Sequence, residues 1–173
     1  MPKILPRLRE QLIDAARRQI EKSGYANTTI RSVAGECGVG VGTVYNYFPS
    51  KDMLIAAFML EDWQLCLARM QEVSAADPAA LLLCIHKELC DFSRKHSALF
   101  RDADASKVFI CAFSERHRQL RSQLSAIILP VCPPNPGKER AFLAEFIAES
   151  LLSWTMSETD PDVFLPILLK LLK

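Results

Sequence analysis

Residues 28–51 read Thr28-Thr-Ile-Arg-Ser-Val-Ala-Gly-Glu-Cys-Gly-Val-Gly-Val-Gly-Thr-Val-Tyr-Asn-Tyr-Phe-Pro-Ser-Lys51. The spacing predicts two short helices, Thr29 to Cys37 and Gly42 to Phe48, separated by Gly38-Val-Gly-Val. Val33, Ala34 and Cys37 give the first an inward face, and the small Ala34 lets a second helix cross closely. Gly38 suits the left-handed backbone that ends a helix. Val39 plugs the turn, and Val44 and Phe48 anchor the second helix to a core. Its outward face then carries Thr43, Asn46 and Tyr47, with Val41 and Gly42 at its N-terminal tip and Tyr45 beside them. Two short helices joined by a tight glycine turn make a helix-turn-helix.

Helical periodicity continues on both sides. Upstream, Leu5, Leu8, Leu12, Ala16 and Ile20 recur at three- and four-residue steps, a stripe ended by Ser23-Gly24. Arg17 and Arg18 read as a solvated face of that helix. Downstream, Ser50 caps a helix from Lys51 to about Met70 whose first half is apolar all round. Asp77 caps the next, with Pro78 at its favoured first position, running to about Lys95. A turn from Ala98 to Asp104 leads to a long helix, Ala105 to Leu129, striped by Phe109, Phe113, His117, Leu120, Leu124 and Ile128. The segment from Pro130 to Gly137 reads as an exposed, helix-breaking loop. A helix from Lys138 to Met156 and a last one, capped by Thr159 or Asp160 and ending at Lys173, complete the chain. The expectation is an all-α fold of eight or nine helices. A three-helix head occupies residues 1–50 and a helical body 51–173.

The 173 residues, 50% apolar and 24% charged, suffice for a core without disulfides or metal. Net charge is only +1, but it is unevenly spread. Residues 1–51 hold eight Lys/Arg against four acids, giving +4, and the remainder carries −3. A basic head on a mildly acidic body fits a head that meets nucleic acid. The apolar runs are too short for a membrane span and the N-terminus lacks a signal-peptide pattern, so the chain reads as cytoplasmic with no membrane partner. The six cysteines form no C-x-x-C pair and read as buried, inert thiols. His86 and Cys90 share one helix face but have no obvious third ligand, so neither a metal nor another cofactor is expected. No nucleophile–base pairing or phosphate-cradling loop is visible, which disfavours an enzyme.

The segment from about Leu8 to Leu60 resembles the DNA-binding head of the tetracycline-repressor (TetR) family of bacterial transcriptional regulators. Gly24-Tyr25, Thr28-Thr29, Val33-Ala34, Gly38-Val39, Gly42-Thr43-Val44-Tyr45, Tyr47-Phe48 and Lys51 carry the resemblance. It implies base contacts by Thr43 and Tyr45, phosphate contacts by Tyr47 and Lys51, and a base or backbone contact by Arg31. Thr29, Val41, Gly42 and Asn46 complete the expected DNA face. Gly40-Val41 stands where many relatives carry a polar residue, although Val41 suits a thymine methyl.

The body matches the family only in being helical. The resemblance implies a homodimer that reads a palindromic operator in double-stranded DNA, built through the last two helices. Their apolar surplus marks Phe146, Leu151, Trp154, Phe164, Leu168 and Leu172 as interface candidates. Trp63, Phe92, Phe109, Phe113 and His117 are candidates to line a pocket for a small apolar effector that releases a repressor from DNA. Each of these five also reads as ordinary core, with His117 hydrogen-bonded there. The competing reading is an effector-independent DNA-binding interaction protein of the same fold, of the nucleoid or division type.

Overall fold

The computed structural model describes residues 7–103, 105, 113–134 and 138–173, with the main chain alone at 113–116 and 138. Among these residues the ordered elements are all helical. They are α1 (Leu8–Asn27), α2 (Ile30–Glu36), α3 (Val41–Tyr47), α4 (Lys51–Gln71), α5 (Pro78–Lys95), α6 (Ser97–Arg101), α7 (Phe113–Ile128), α8 (Lys138–Met156) and α9 (Pro161–Leu171), with one 3₁₀ turn at Leu129–Val131. The chain forms two compact units, Met1–Trp63 with Lys95–Cys111 and Gln64–Arg94 with Ala112–Lys173. Helix α4 carries the chain out of the first unit and α5 carries it back.

The first unit is built on α1, which packs against α2 and α6 while α2 packs against α3. Leu12, Ile13, Ala16 and Ile20 of α1, Val33 and Ala34 of α2, Val44 of α3 and Leu54, Ile55 and Phe58 of α4 are all buried. The α1 stripe ends where expected, because Gly24 leaves helical geometry at φ 77°, ψ 174°. Leu5 lies outside the described residues. Three caps act at the predicted places. Ser50 Oγ accepts from the Met53 N–H at 3.1 Å, Asp77 Oδ1 from Ala80 at 3.0 Å and Asp160 Oδ1 from Asp162 at 2.9 Å.

In the second unit α7 and α8 form the most extensive helix pair. Ala144 and Ala148, buried and small, permit the close approach on the α8 side. Leu81, Leu82 and Ile85 of α5, Leu124 and Ile128 of α7, Ile147 and Leu151 of α8 and Phe164 and Leu168 of α9 are buried in this unit.

Three sequence expectations need correction. The segment after Lys95 is not merely a turn, since Ser97–Arg101 is helical and buries Leu99. The loop after α7 is not wholly exposed, because Val131 and Cys132 are buried and Cys132 Sγ lies 3.7 Å from the Ile128 carbonyl oxygen. Arg17 is not a solvated side chain, as it is committed to a buried carboxylate.

Candidate nucleic-acid interface

The site is built by two local devices. Helix α2 starts in a capping box, in which Thr29 Oγ1 accepts from the Ser32 N–H and Ser32 Oγ accepts from the Thr29 N–H, both at 3.0 Å. It ends in a Schellman motif. Gly38 adopts φ 68°, its N–H donates to the Gly35 carbonyl at 3.2 Å, and the Val39 N–H donates to the Ala34 carbonyl at 3.0 Å. That turn sets the start of α3, where Gly40 is the cap and accepts from the Thr43 N–H at 2.9 Å. The back of α2 is tied to α1. The Gln19 amide and the Arg18 guanidinium both donate to Glu36, and together hold its carboxyl below the ordinary range.

The front of α2 and α3 is open. Thr29, Arg31, Gly42, Tyr45 and Asn46 are exposed, and Val41, Thr43, Tyr47 and Lys51 are half-buried. Tyr45 presents half its surface to solvent, at 50% exposure, while its neighbour Val44 is fully buried. An open groove of about 380 Å³ gathers Thr29, Arg31, Val41, Tyr45 and Lys51 with Thr28 and Ile30. Gly42, Thr43, Asn46 and Tyr47 belong to the same α3 but do not line the groove. Thr28 and Ile30 were not among the residues expected on the DNA face. Ile30 is buried, and Thr28 is buried with its hydroxyl donating to the Gly24 carbonyl at 2.9 Å.

Lys51 is anchored at the first residue of α4. Its ammonium donates to the Tyr25 carbonyl at 2.9 Å and lies 3.6 Å from the centroid of the Tyr25 ring. The Tyr25 hydroxyl in turn donates to Asp52 Oδ1 at 2.6 Å. One of the ammonium's three donors is thereby used, and its charge is fixed at the edge of the groove. Thr29 likewise has a structural duty, since its hydroxyl caps α2.

Sequence reading also missed a buried charge cluster in this unit. Asp62, 4% exposed, accepts from Arg17 Nη1 at 2.6 and 2.5 Å. Lys95 Nζ and His96 Nε2 each lie 3.0 Å from its oxygens. Burial raises the Asp62 carboxyl, but the Arg17 and Lys95 bonds outweigh it and leave the carboxyl below the usual range. Burial also pushes His96 down to about 4, against the pull of Asp62, so the imidazole is neutral at pH 7. The adjacent acids Glu61 and Asp62, directly after the apolar run Met53 to Leu60, were the available signal.

Among the described residues, the pocket candidates Trp63, Phe92 and His117 do not line the cavity found in the second unit. Phe109 lies outside the described residues, as does the side chain of Phe113, and Trp63 is buried in the first unit. Phe92 is half-buried, and His117 Nε2 sits 2.9 and 3.0 Å from the Glu149 carboxylate. The cavity of this unit, about 530 Å³, is instead lined by Leu67, Met70, Gln71, Val73, Ala75, Leu81, Gln123, Ala126, Ile127 and Pro130. His86 Nε2 and Cys90 Sγ are 3.6 Å apart, and among the described residues no group of three or more His, Cys, Asp or Glu could hold a metal ion. Burial raises the thiols of Cys37, Cys84, Cys90 and Cys132, and takes Cys66 to about 11. Cys111 lies outside the described residues.

The interface candidates also separate. Leu151, Phe164 and Leu168 are fully buried and build the unit's own core rather than its surface, while the half-buried Trp154 stacks on Phe164 at 4.8 Å. Leu172 is half-buried and Phe146 is exposed. The apolar row that faces solvent is Phe142 and Phe146 on α8 and Val163, Ile167 and Leu171 on α9. No described helix is long and apolar enough to cross a membrane.

Known proteins resemble this part of the chain. Residues 12–58 match the family described as bacterial regulatory proteins, tetR family. The chain is 33% identical over 64 residues to the HTH-type transcriptional regulator UidR of Escherichia coli K12, covering 37% of this chain and 33% of that protein. It is 38% identical over 90 residues to the HTH-type transcriptional regulator BetI of Paraburkholderia xenovorans, covering 49% of this chain and 46% of that one. The matches thus span from a third to about half of these relatives. The fold resembles that of a transcriptional regulator from Cytophaga hutchinsonii, with a TM-score of 0.63 and 23% identity over 86% of this chain and 80% of that one. The matched head contains α2, its glycine turn and α3, and it is this segment of the chain that is similar to the tetR family of bacterial regulatory proteins.

Proposed function

We propose that this chain is a DNA-binding transcriptional regulator that acts as a homodimeric repressor on a palindromic operator in double-stranded DNA. The groove between the start of α2 and the exposed face of α3 carries the reading, because it gathers Arg31, Lys51, Thr29, Tyr45 and Val41 on one open surface. Two cations set at its edges suit phosphates, which position a protein on the duplex, while Tyr45, Thr43 and Val41 face the bases. The helix α3 is then the recognition helix, entering the major groove by its N-terminal end. The exposed row on α8 and α9 is the proposed dimer surface in place of the buried core residues. The effector is proposed to be a small, largely apolar and uncharged molecule in the second unit's cavity, whose polar side chains among the described residues are Gln71 and Gln123.

Titration of labelled duplexes tests the DNA reading. Lys51→Ala should weaken specific and non-specific binding alike and reduce the log-log salt slope by about one per contact, or two per dimer. Thr43→Ala and Tyr45→Ala should each cost about 1–3 kcal/mol per half-site and relax base preference. Variants that bind as the wild type does would overturn the assignment of this face.

A further inference from the structure

Two of the chain's three passages between the units lie within described helices, in α4 after Trp63 and in α5 before Lys95. Both crossings meet at one carboxylate. Asp62, the residue before Trp63, holds Lys95 and His96, the first two residues of the returning segment, each at 3.0 Å. The same carboxylate takes Arg17 of α1 in a bond to both oxygens. Phe58, one turn earlier on α4, locks the arrangement. The His96 ring stacks on it at 5.8 Å and the Arg17 guanidinium lies 5.2 Å from its centroid.

The neighbouring residue carries the line onward. Glu61 accepts from Arg9 Nη1 at 2.9 Å, and the Arg9 guanidinium lies 5.7 Å from the centre of the Phe48 ring. Phe48 is the C-terminal cap of α3, buried, with its N–H bonded to the Val44 carbonyl at 2.9 Å. Helix α1 is therefore gripped by α4 at Arg9 and Arg17, two turns or about 12 Å apart along its axis.

We propose that the adjacent carboxylates Glu61 and Asp62 are positioning residues that couple the returning segment Lys95–His96 to helix α3, with Asp62 as the buried hub and Glu61 acting through Arg9 on Phe48. A hub that is buried and holds three partners cannot lose one cheaply, so displacement of Lys95 or His96 must move Asp62 with it. Because Glu61 and Asp62 are consecutive on one rigid helix, a turn of α4 that follows Asp62 also shifts Glu61 against Arg9. The functional consequence rests on the DNA-binding reading above, whereas the coupling itself does not.

Coupling is shown by non-additivity, not by adjacency. Lys95 and Arg9 are about half exposed, so Lys95→Met and Arg9→Gln are tolerable where a change at Asp62 risks the fold. Amide hydrogen exchange of the intact chain without DNA should show Thr43 to Phe48 exchanging at least threefold faster in Lys95→Met. Lys95→Arg should restore the wild-type rate. The double variant should exchange no faster than the more affected single one, because one link is already broken. Unchanged α3 exchange in Lys95→Met, or single effects that multiply in the double variant, would overturn the proposal. Operator affinity is the second reading, expected to fall at least threefold in Lys95→Met with the same non-additivity. A wild-type chain that binds no DNA would sink the proposed function while the exchange data still decide the coupling.

Discussion

His96 makes folding stability sensitive to mild acid, and the size of the effect follows from its burial. The side chain is 3% exposed, and its imidazole takes up a proton only near pH 4 in the folded chain. The unfolded imidazole does so near pH 6.5. Between these values the unfolded state holds more protons, so stability falls as pH falls, and the loss is complete below about 4. The gap of about 2.5 pH units is worth about 3 kcal/mol in full, of which about 2 kcal/mol is lost between pH 7 and pH 5. Asp62 does not mask this. Its carboxyl is lower folded than unfolded, so its contribution is present above about pH 4 and fades only in stronger acid. Burial lowers His86 as well and adds a slope of the same sign, so the test needs a difference between variants. Urea unfolding at fixed ionic strength, at pH 7, 6 and 5, should be run on the wild type and on His96→Gln, which keeps a donor for Asp62 but cannot titrate. The wild type should lose about 2 kcal/mol more than the variant over this range. Parallel curves, or an NMR titration placing the His96 midpoint near 6.5, would refute the reasoning.

Two further predictions concern the turn and the surface. Gly38→Ala should destabilise the chain by about 1 kcal/mol in thermal or urea unfolding, because the left-handed φ of 68° alone opposes a side chain where a Cβ meets nothing within 4 Å. Gly35→Ala, inside α2 with equal room, should instead stabilise by about 0.5–1 kcal/mol. At the proposed dimer surface, Phe146→Glu with Ile167→Glu should give a folded monomer by light scattering and circular dichroism. Leu168→Glu, a charge placed in a fully buried position, should cost several kcal/mol and unfold the chain.

What was legible in the sequence was local. The glycine turn, the caps at Ser50, Asp77 and Asp160 and the break at Gly24 depend on a few neighbouring residues, and each stands where the pattern put it. What was not legible required knowing which face of a helix is covered. Helix α9 carries two apolar rows, Phe164 with Leu168 and Val163 with Ile167 and Leu171, and periodicity alone does not say which one is buried. The same limit hid Arg17, whose partner Asp62 is 45 residues away. Likewise, the sequence placed Thr29 only on the DNA face, and the hydrogen bonds reveal that it also caps α2. In the candidate site, the groove residues Arg31, Tyr45 and Lys51 were visible because motif spacing fixes them, whereas Thr28 and Ile30 entered through packing.

The central claim is sequence-specific recognition of duplex DNA by the face of α2 and α3. Selection of the full chain against a random-sequence duplex library, with deep sequencing of the bound fraction, tests it most directly. The expected result is enrichment of a palindromic motif that Tyr45→Ala blurs and Lys51→Ala weakens without blurring. A library that emerges without sequence preference, or a motif unchanged by both substitutions, would contradict the account.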